Sequence, residues 1–162
     1  MKIIDVASGE QIECEIVPLE KEDVKNIPAS RYFFNWKKEA DDGSLFKLRI
    51  LGEMDIKGVM KLIDVPEEER IEIKLLAVSK ENMVLKKDKG KKQKKYKDIA
   101  GNMISFAASE ALKTYGVNAC VSLLPKTELR NHYISKYSML LAGSHVFLEG
   151  GSLLNVINQY PL

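Results

Sequence analysis

Between Lys95 and Leu124 the sequence reads KYKDIAGNMISFAASEALKTYGVNACVSLL, and its period changes twice. Ala100, Met103, Ile104, Ala107, Ala108, Ala111, Leu112 and Tyr115 recur at i, i+3, i+4 and i+7, which predicts an amphipathic helix of about four turns. Alanines on that stripe let the helix backbone lie close to a sheet. Asp98 stands at its N-cap, Lys113 in its last turn and Gly116 just past its end. Val117–Leu124 is then apolar but for Asn118 and Ser122, the pattern of a strand buried on both faces.

Upstream, LFKLRIL (Leu45–Leu51), IKGVMKLIDV (Ile56–Val65) and RIEIKLLAVS (Arg70–Ser79) are three successive strands whose short links permit antiparallel pairing. In the third, alternation places Ile71, Ile73, Leu75 and Ala77 on one face and Glu72, Lys74, Leu76 and Val78 on the other. MKIIDV and QIECEIVPL, parted by ASGE, read as a strand pair. LEKEDVKNIP is a short helix stopped before Pro28, and RYFFNWKKEA (Arg31–Ala40) an aromatic helix ending at the DDGS turn. Downstream, a helix over Pro125–Lys136 begins with proline, MLLAG and HVFLEG form a hairpin, and Ser152 caps a last helix. Strand–helix alternation begins only after Val78. The fold class is therefore α/β (α+β): a mixed, mostly antiparallel sheet flanked by helices.

At 162 residues the chain is read as one domain, able to bury about 70% of its unfolded surface. Its net charge of +2 hides an asymmetry. Eight lysines crowd Lys86–Lys97 with one aspartate, while the remainder carries 17 Lys and Arg against 22 Asp and Glu. Tyr96 is the only aromatic among those lysines, and the rest of the surface is acidic, which argues against nucleic acid as a partner. Cys14 and Cys120 make no disulfide framework, and with His132 and His145 they fit no metal spacing. MKIIDVASGE is too polar for a signal peptide, and no apolar run reaches membrane-spanning length. The expected setting is a reducing cytoplasm.

The order of elements, with residues from Arg70 to Tyr133, resembles the GNAT superfamily of acyl-CoA-dependent N-acetyltransferases. That family has a central strand matched by Glu72–Val78, then a Q/R-x-x-G-x-G/A loop, for which Lys95, Asp98 and Ala100 hold the marked positions. Gly101-Asn102-Met103-Ile104 stands where the family's helix begins with small residues and two leucines. Ala119–Leu124 takes the place of a strand splayed from the first. Lys126, Thr127, Leu129, His132 and Tyr133 match a K-T-x-L-x-x-H-Y pattern of a GNAT-like subgroup. Ser79–Lys94 is an insertion ahead of the loop.

The resemblance implies acetyl-CoA as co-substrate and a small-molecule or protein amine as acceptor. Lys95, Asp98, Ala100, Gly101 and Asn102 would cradle the pyrophosphate at a helix N-terminus, where free amides and the helix dipole favour an anion. Backbone amides near Leu76 and Val78 would hold the thioester carbonyl and the pantetheine arm. Glu72 would be the base and Tyr133 the acid for the leaving thiolate. Each has a plainer explanation: Glu72 as a solvated strand residue beside Lys74, Tyr133 as packing, the lysine run as solvated charge. Asp98, where the family has glycine, brings a carboxylate to the phosphate position. The alternative is a GNAT-like protein without efficient coenzyme binding that acts as a ligand- or partner-binding module.

Overall fold

Strands form where the chain alternates or runs apolar. They are β1 (Lys2–Asp5), β2 (Gln11–Pro18), β3 (Ser44–Ile50), β4 (Ile56–Val65), β5 (Arg70–Val78), β6 (Tyr96–Lys97), β7 (Cys120–Leu123), β8 (Leu140–Ala142) and β9 (His145–Glu149). Helices α1 (Ala29–Tyr32), α2 (Ile99–Tyr115), α3 (Arg130–Tyr137) and α4 (Gly150–Gln159) intervene. The structure is a computed structural model that describes residues 1–32, 34–36, 38–39, 44–83 and 93–162. Lys86–Lys92, the centre of the expected insertion, and Asp41–Gly43 of the expected turn lie outside the described residues. No helix among the described residues is long and apolar enough to cross a membrane.

The strands join one sheet in the order β6-β1-β2-β3-β4-β5-β7-β9-β8. All neighbours are antiparallel except β5 and β7, whose parallel pairing follows from the α2 crossover between them. The sheet is thus mixed and mostly antiparallel, as its sequence pattern implies.

Helix α2 covers one face. Its Met103, Ile104, Ala107, Ala108 and Ala111 are fully buried against Ile71, Ile73 and Val121 of the central strands. Burying each of the larger side chains contributes about 1.5–3 kcal/mol. Contact is close: a Cβ on Gly58 of β4 would stand 2.7 Å from Met103 Sδ and 2.9 Å from Ile99 Cγ2. A second, smaller core on the opposite face gathers Ile27, Tyr32, Trp36, Ile56, Val59 and Ala77.

Four local expectations are corrected. The aromatic helix over Arg31–Ala40 ends at Tyr32, because Tyr32 donates its hydroxyl hydrogen to the Ile56 carbonyl and Trp36 drops into the second core. Burial of rings that are poor helix formers outweighs continuation of the turn. Pro125 does not open its helix; Thr127–Leu129 makes a 3₁₀ turn before α3 starts at Arg130. Ser152 is not the cap of α4. Glu149 holds the N-cap position, and Ser152, three residues on, accepts the Glu149 N–H at 3.2 Å. Finally, the alternation of β5 breaks at Lys74. Leu62 pairs with Ile73 and Lys61 with Leu75, so Lys74 is an extra residue with no opposite, a β-bulge. Past it the faces exchange. Leu76 and Val78 join Ile71 and Ile73 on the α2 side, while Leu75 and Ala77 turn to the second core.

Candidate active site

The bulge at Lys74 coincides with a second discontinuity. Parallel pairing of β5 with β7 runs from Arg70–Cys120 to Ile73–Leu123 and ends there, although β5 continues to Val78. Beyond Ile73 the edge of β5 that faced β7 has no strand beside it among the described residues. Ser79 N–H donates to the Lys57 carbonyl of β4 at 3.0 Å. Because backbone groups alternate sides along a strand, the amides of Val78 and Leu76 point the other way, into the opening. These are the two residues expected to hold a carbonyl there. Unpaired strand amides are strong donors that call for a partner.

Glu72 lies one residue before the opening, beside Ser122 of β7 and Ile63 of β4. Its carboxylate is 3.4 Å from Arg70 Nη1 and 3.8 Å from Lys74 Nζ. Arg70 also reaches Ser122 Oγ at 2.5 Å. This is the sheet face away from α2.

Tyr133 stands on the other face, buried in the main core from α3, its ring 6.0 Å from that of Tyr137. Burial pushes its phenol up to about 12, so it holds its proton at neutral pH. Glu72 and Tyr133 are therefore not adjacent.

At the other end of the expected site, Lys95 and Tyr96 are held by the turn after β5. Lys95 N–H donates to the Glu81 carbonyl at 3.2 Å, and Tyr96 N–H to Asn82 Oδ1 at 2.9 Å. Thus the first residues of the insertion meet the residues that follow it at the C-terminal end of β5. The Lys95 ammonium lies 5.2 Å from the Tyr96 ring centre. Tyr96 and Lys97 pair with Asp5 and Ile4, a ladder not anticipated from sequence.

Asp98 precedes α2 in a left-handed conformation, φ 68°, and its side chain makes no capping bond, contrary to expectation. Its carboxylate accepts instead from Lys136 at the end of α3, 3.2 Å away. Asn102 is 1% exposed and donates to the carbonyls of Lys2 and Asp98, each at 2.8 Å, pinning the first turn of α2 to β1. Gly101 is required by a neighbour: a Cβ there would lie 2.4 Å from the Tyr160 ring. Half-buried Ala100 completes the turn. A cavity of about 450 Å³ adjoins it, lined by Lys2, Gln11, Asp98, Asn102, Gln159 and Tyr160 among others.

Charge around this turn is net positive. Lys94 has its pKa lowered by burial first, then by Lys136 and Lys97, with Asp98 opposing. His132 is lowered by burial and by the same Lys136 and Lys94. Lys94, Lys136, His132 and Tyr160 escaped the sequence reading as members of one cluster. Lys136 and Asp98 are 38 residues apart, and no spacing rule connects them.

No family model matches the chain, and no curated protein matches it by sequence. Solved structures do match by shape. The ribosomal-protein-S18-alanine N-acetyltransferase from Escherichia coli superposes with a TM-score of 0.55 at 11% identity, over 83% of this chain and 91% of that one. A spermidine N-acetyltransferase from Vibrio cholerae, in a dodecameric structure, gives 0.56 at 13% identity, over 88% and 96%. A mutant AtaT toxin, bound to the C-terminus of the antitoxin AtaR and to acetyl-CoA, gives 0.56 at 10% identity, over 91% and 99%. Two of these three are N-acetyltransferases by name, and what all three share with this chain is the overall fold. The chain thus shares the fold of these structures, as the resemblance of its sequence to the GNAT superfamily implies.

Proposed function

We propose that the protein transfers an acetyl group from acetyl-CoA to an amine, small or protein-borne. The observation that supports this most is the opening past Ile73, with the Leu76 and Val78 amides directed into it. Nearby, the α2 N-terminus presents the Ile99 and Ala100 amides, for which the described residues supply no acceptor, amid Lys94, Lys97 and Lys136. These residues fit the phosphates of coenzyme A, with Lys95, Asp98, Gly101 and Asn102 shaping the turn. In this assignment the Leu76 and Val78 amides hold the thioester carbonyl and pantetheine arm. Bound there, acetyl-CoA supplies an activated acyl group. Glu72 takes a proton from the incoming amine as the N–C bond forms. Tyr133 gives its proton to the sulfur as the C–S bond breaks.

A second assignment draws on Asp98 and Tyr160. The carboxylate neutralises Lys136, and the Tyr160 ring covers Gly101, where a coenzyme backbone contact would fall. On that basis the chain would be a binding module with little affinity for the coenzyme.

Release of free thiol from acetyl-CoA, measured against a panel of polyamines, amino sugars and peptide N-termini, separates the two. We expect saturable release with one class and loss of it in Glu72→Gln. Absence of release with every amine would reject the transferase assignment.

A further inference from the structure

Among the described residues Glu72 has two charged partners, and they hold it unequally. Lys74 sits at the β5 bulge with its side chain 54% exposed, and its ammonium stands 3.8 Å from the carboxylate. Arg70, two residues before Glu72 on the same sheet face, is 18% exposed and 3.4 Å away. Its guanidinium is fixed from two sides. Nε donates to Glu68 Oε2 at 2.8 Å, and Nη1 donates to Ser122 Oγ at 2.5 Å. Ser122 is buried on β7 and lies opposite Glu72 in the parallel register. Nη1 carries two hydrogens, one directed to Ser122 and the other to Glu72. A planar guanidinium anchored at two nitrogens keeps one orientation, which an exposed ammonium on a flexible stem does not.

We infer that Arg70 is a positioning residue: by bridging Ser122 to Glu72 it aims the carboxylate at the opening past Ile73. The inference rests on Glu72 being the base of the function proposed above. Arg70 also ties β5 to β7 just before the two strands part, since Ile73–Leu123 is their last pair. Without it the carboxylate is left to Lys74 and water, and a reacting group displaced by about 1 Å loses up to about a hundredfold in rate. Arg70 borders a cavity of about 450 Å³ with Cys120, Ser122, His145 and Phe147. A group that only bound the acceptor from there would act on KM and spare kcat.

Steady-state thiol release by Arg70→Met, Glu72→Gln and the double variant tests the inference, with melting temperatures measured beside it. We expect Arg70→Met to lower kcat about ten- to a hundredfold. KM for acetyl-CoA and for the amine should stay within about twofold of the parent. Added to Glu72→Gln, it should cause no further loss, because a residue acting through Glu72 then has nothing to act on. Ser122→Ala removes one anchor and keeps the charge. It should lower kcat by a smaller factor, and it decides the matter if Arg70→Met does not fold. Parent kcat in Arg70→Met and Ser122→Ala, while Glu72→Gln is impaired, would overturn the inference and leave the base assignment standing. A raised KM for the amine at unchanged kcat, or losses that multiply in the double variant, would also overturn it. Full activity in Glu72→Gln, or no release by the parent chain, would overturn the base assignment and the inference together.

Discussion

The Lys136 ammonium lies 3.2 Å from Asp98 Oδ1, joining the end of α3 to the residue that opens α2. In the function proposed above, the pair borders the helix amides assigned to a coenzyme phosphate. Asp98→Gly removes that carboxylate and suits the left-handed backbone at φ 68°, which costs a side chain of order 1 kcal/mol. We expect acetyl-CoA affinity to rise about tenfold, equivalent to about 1.4 kcal/mol, and thermal stability to hold. Lys136→Ala should weaken binding. Calorimetry on the two variants checks both, and identical affinities would place the phosphates elsewhere.

Tyr133 keeps its proton because burial lifts its pKa to about 12. If it protonates the leaving thiolate, Tyr133→Phe should lower kcat by about a hundredfold or more while KM for acetyl-CoA changes little. Melting temperature should stay close to the parent, since the ring is retained. Steady-state kinetics with the preferred amine measures it; an unchanged kcat would return Tyr133 to a packing role.

Gly101 faces the Tyr160 ring so closely that Gly101→Ala puts a methyl 2.4 Å from it. Overpacking of this kind costs about 1–3 kcal/mol. Chemical denaturation should show that loss, with Tyr160→Ala in the same chain recovering part of it. Gly116→Ala, in open space but at φ 59°, serves as a comparison without the clash.

On the opposite side of the sheet, Arg31 binds Asp55 at 2.8 Å and also pairs with Glu81, while nearly buried Lys57 reaches Asp55 at 2.9 Å. The Arg31 hydrogen bond, opposed by burial and aided by Lys57, holds the Asp55 carboxyl down at about 2. A depressed carboxylate contributes stability above its unfolded pKa near 4 and loses it as pH falls toward 2. With Asp55 nearly half exposed, the contribution after screening is about 1 kcal/mol. Denaturation from pH 5 to 2 should be less steep in Asp55→Asn by that amount.

Much of the fold was legible because burial follows period. The α2 stripe and the three strands from Leu45 to Val78 stand where their pattern puts them, whereas the expected strand Val117–Leu124 shrinks to Cys120–Leu123, because Gly116–Asn118 makes a 3₁₀ turn that leaves Val117 94% exposed. What escaped depends on contacts between distant residues. A bulge at Lys74 leaves no mark in local composition, so half of β5 was assigned to the wrong face. Residues 31–40 read as helix because their aromatic spacing suits one, yet Trp36 finds more burial by leaving it. Leu76 and Val78 were singled out through the strand motif, and the structure places them past the end of the β5–β7 pairing. The Asp98–Lys136 pair and the Tyr160 cover needed three helices to be docked first.

Direct calorimetric titration of the purified protein with acetyl-CoA tests the central claim most closely. Saturable binding, one coenzyme per chain and weakened by raised salt as expected for lysine–phosphate contacts, is the predicted result. No binding heat up to millimolar coenzyme would contradict it.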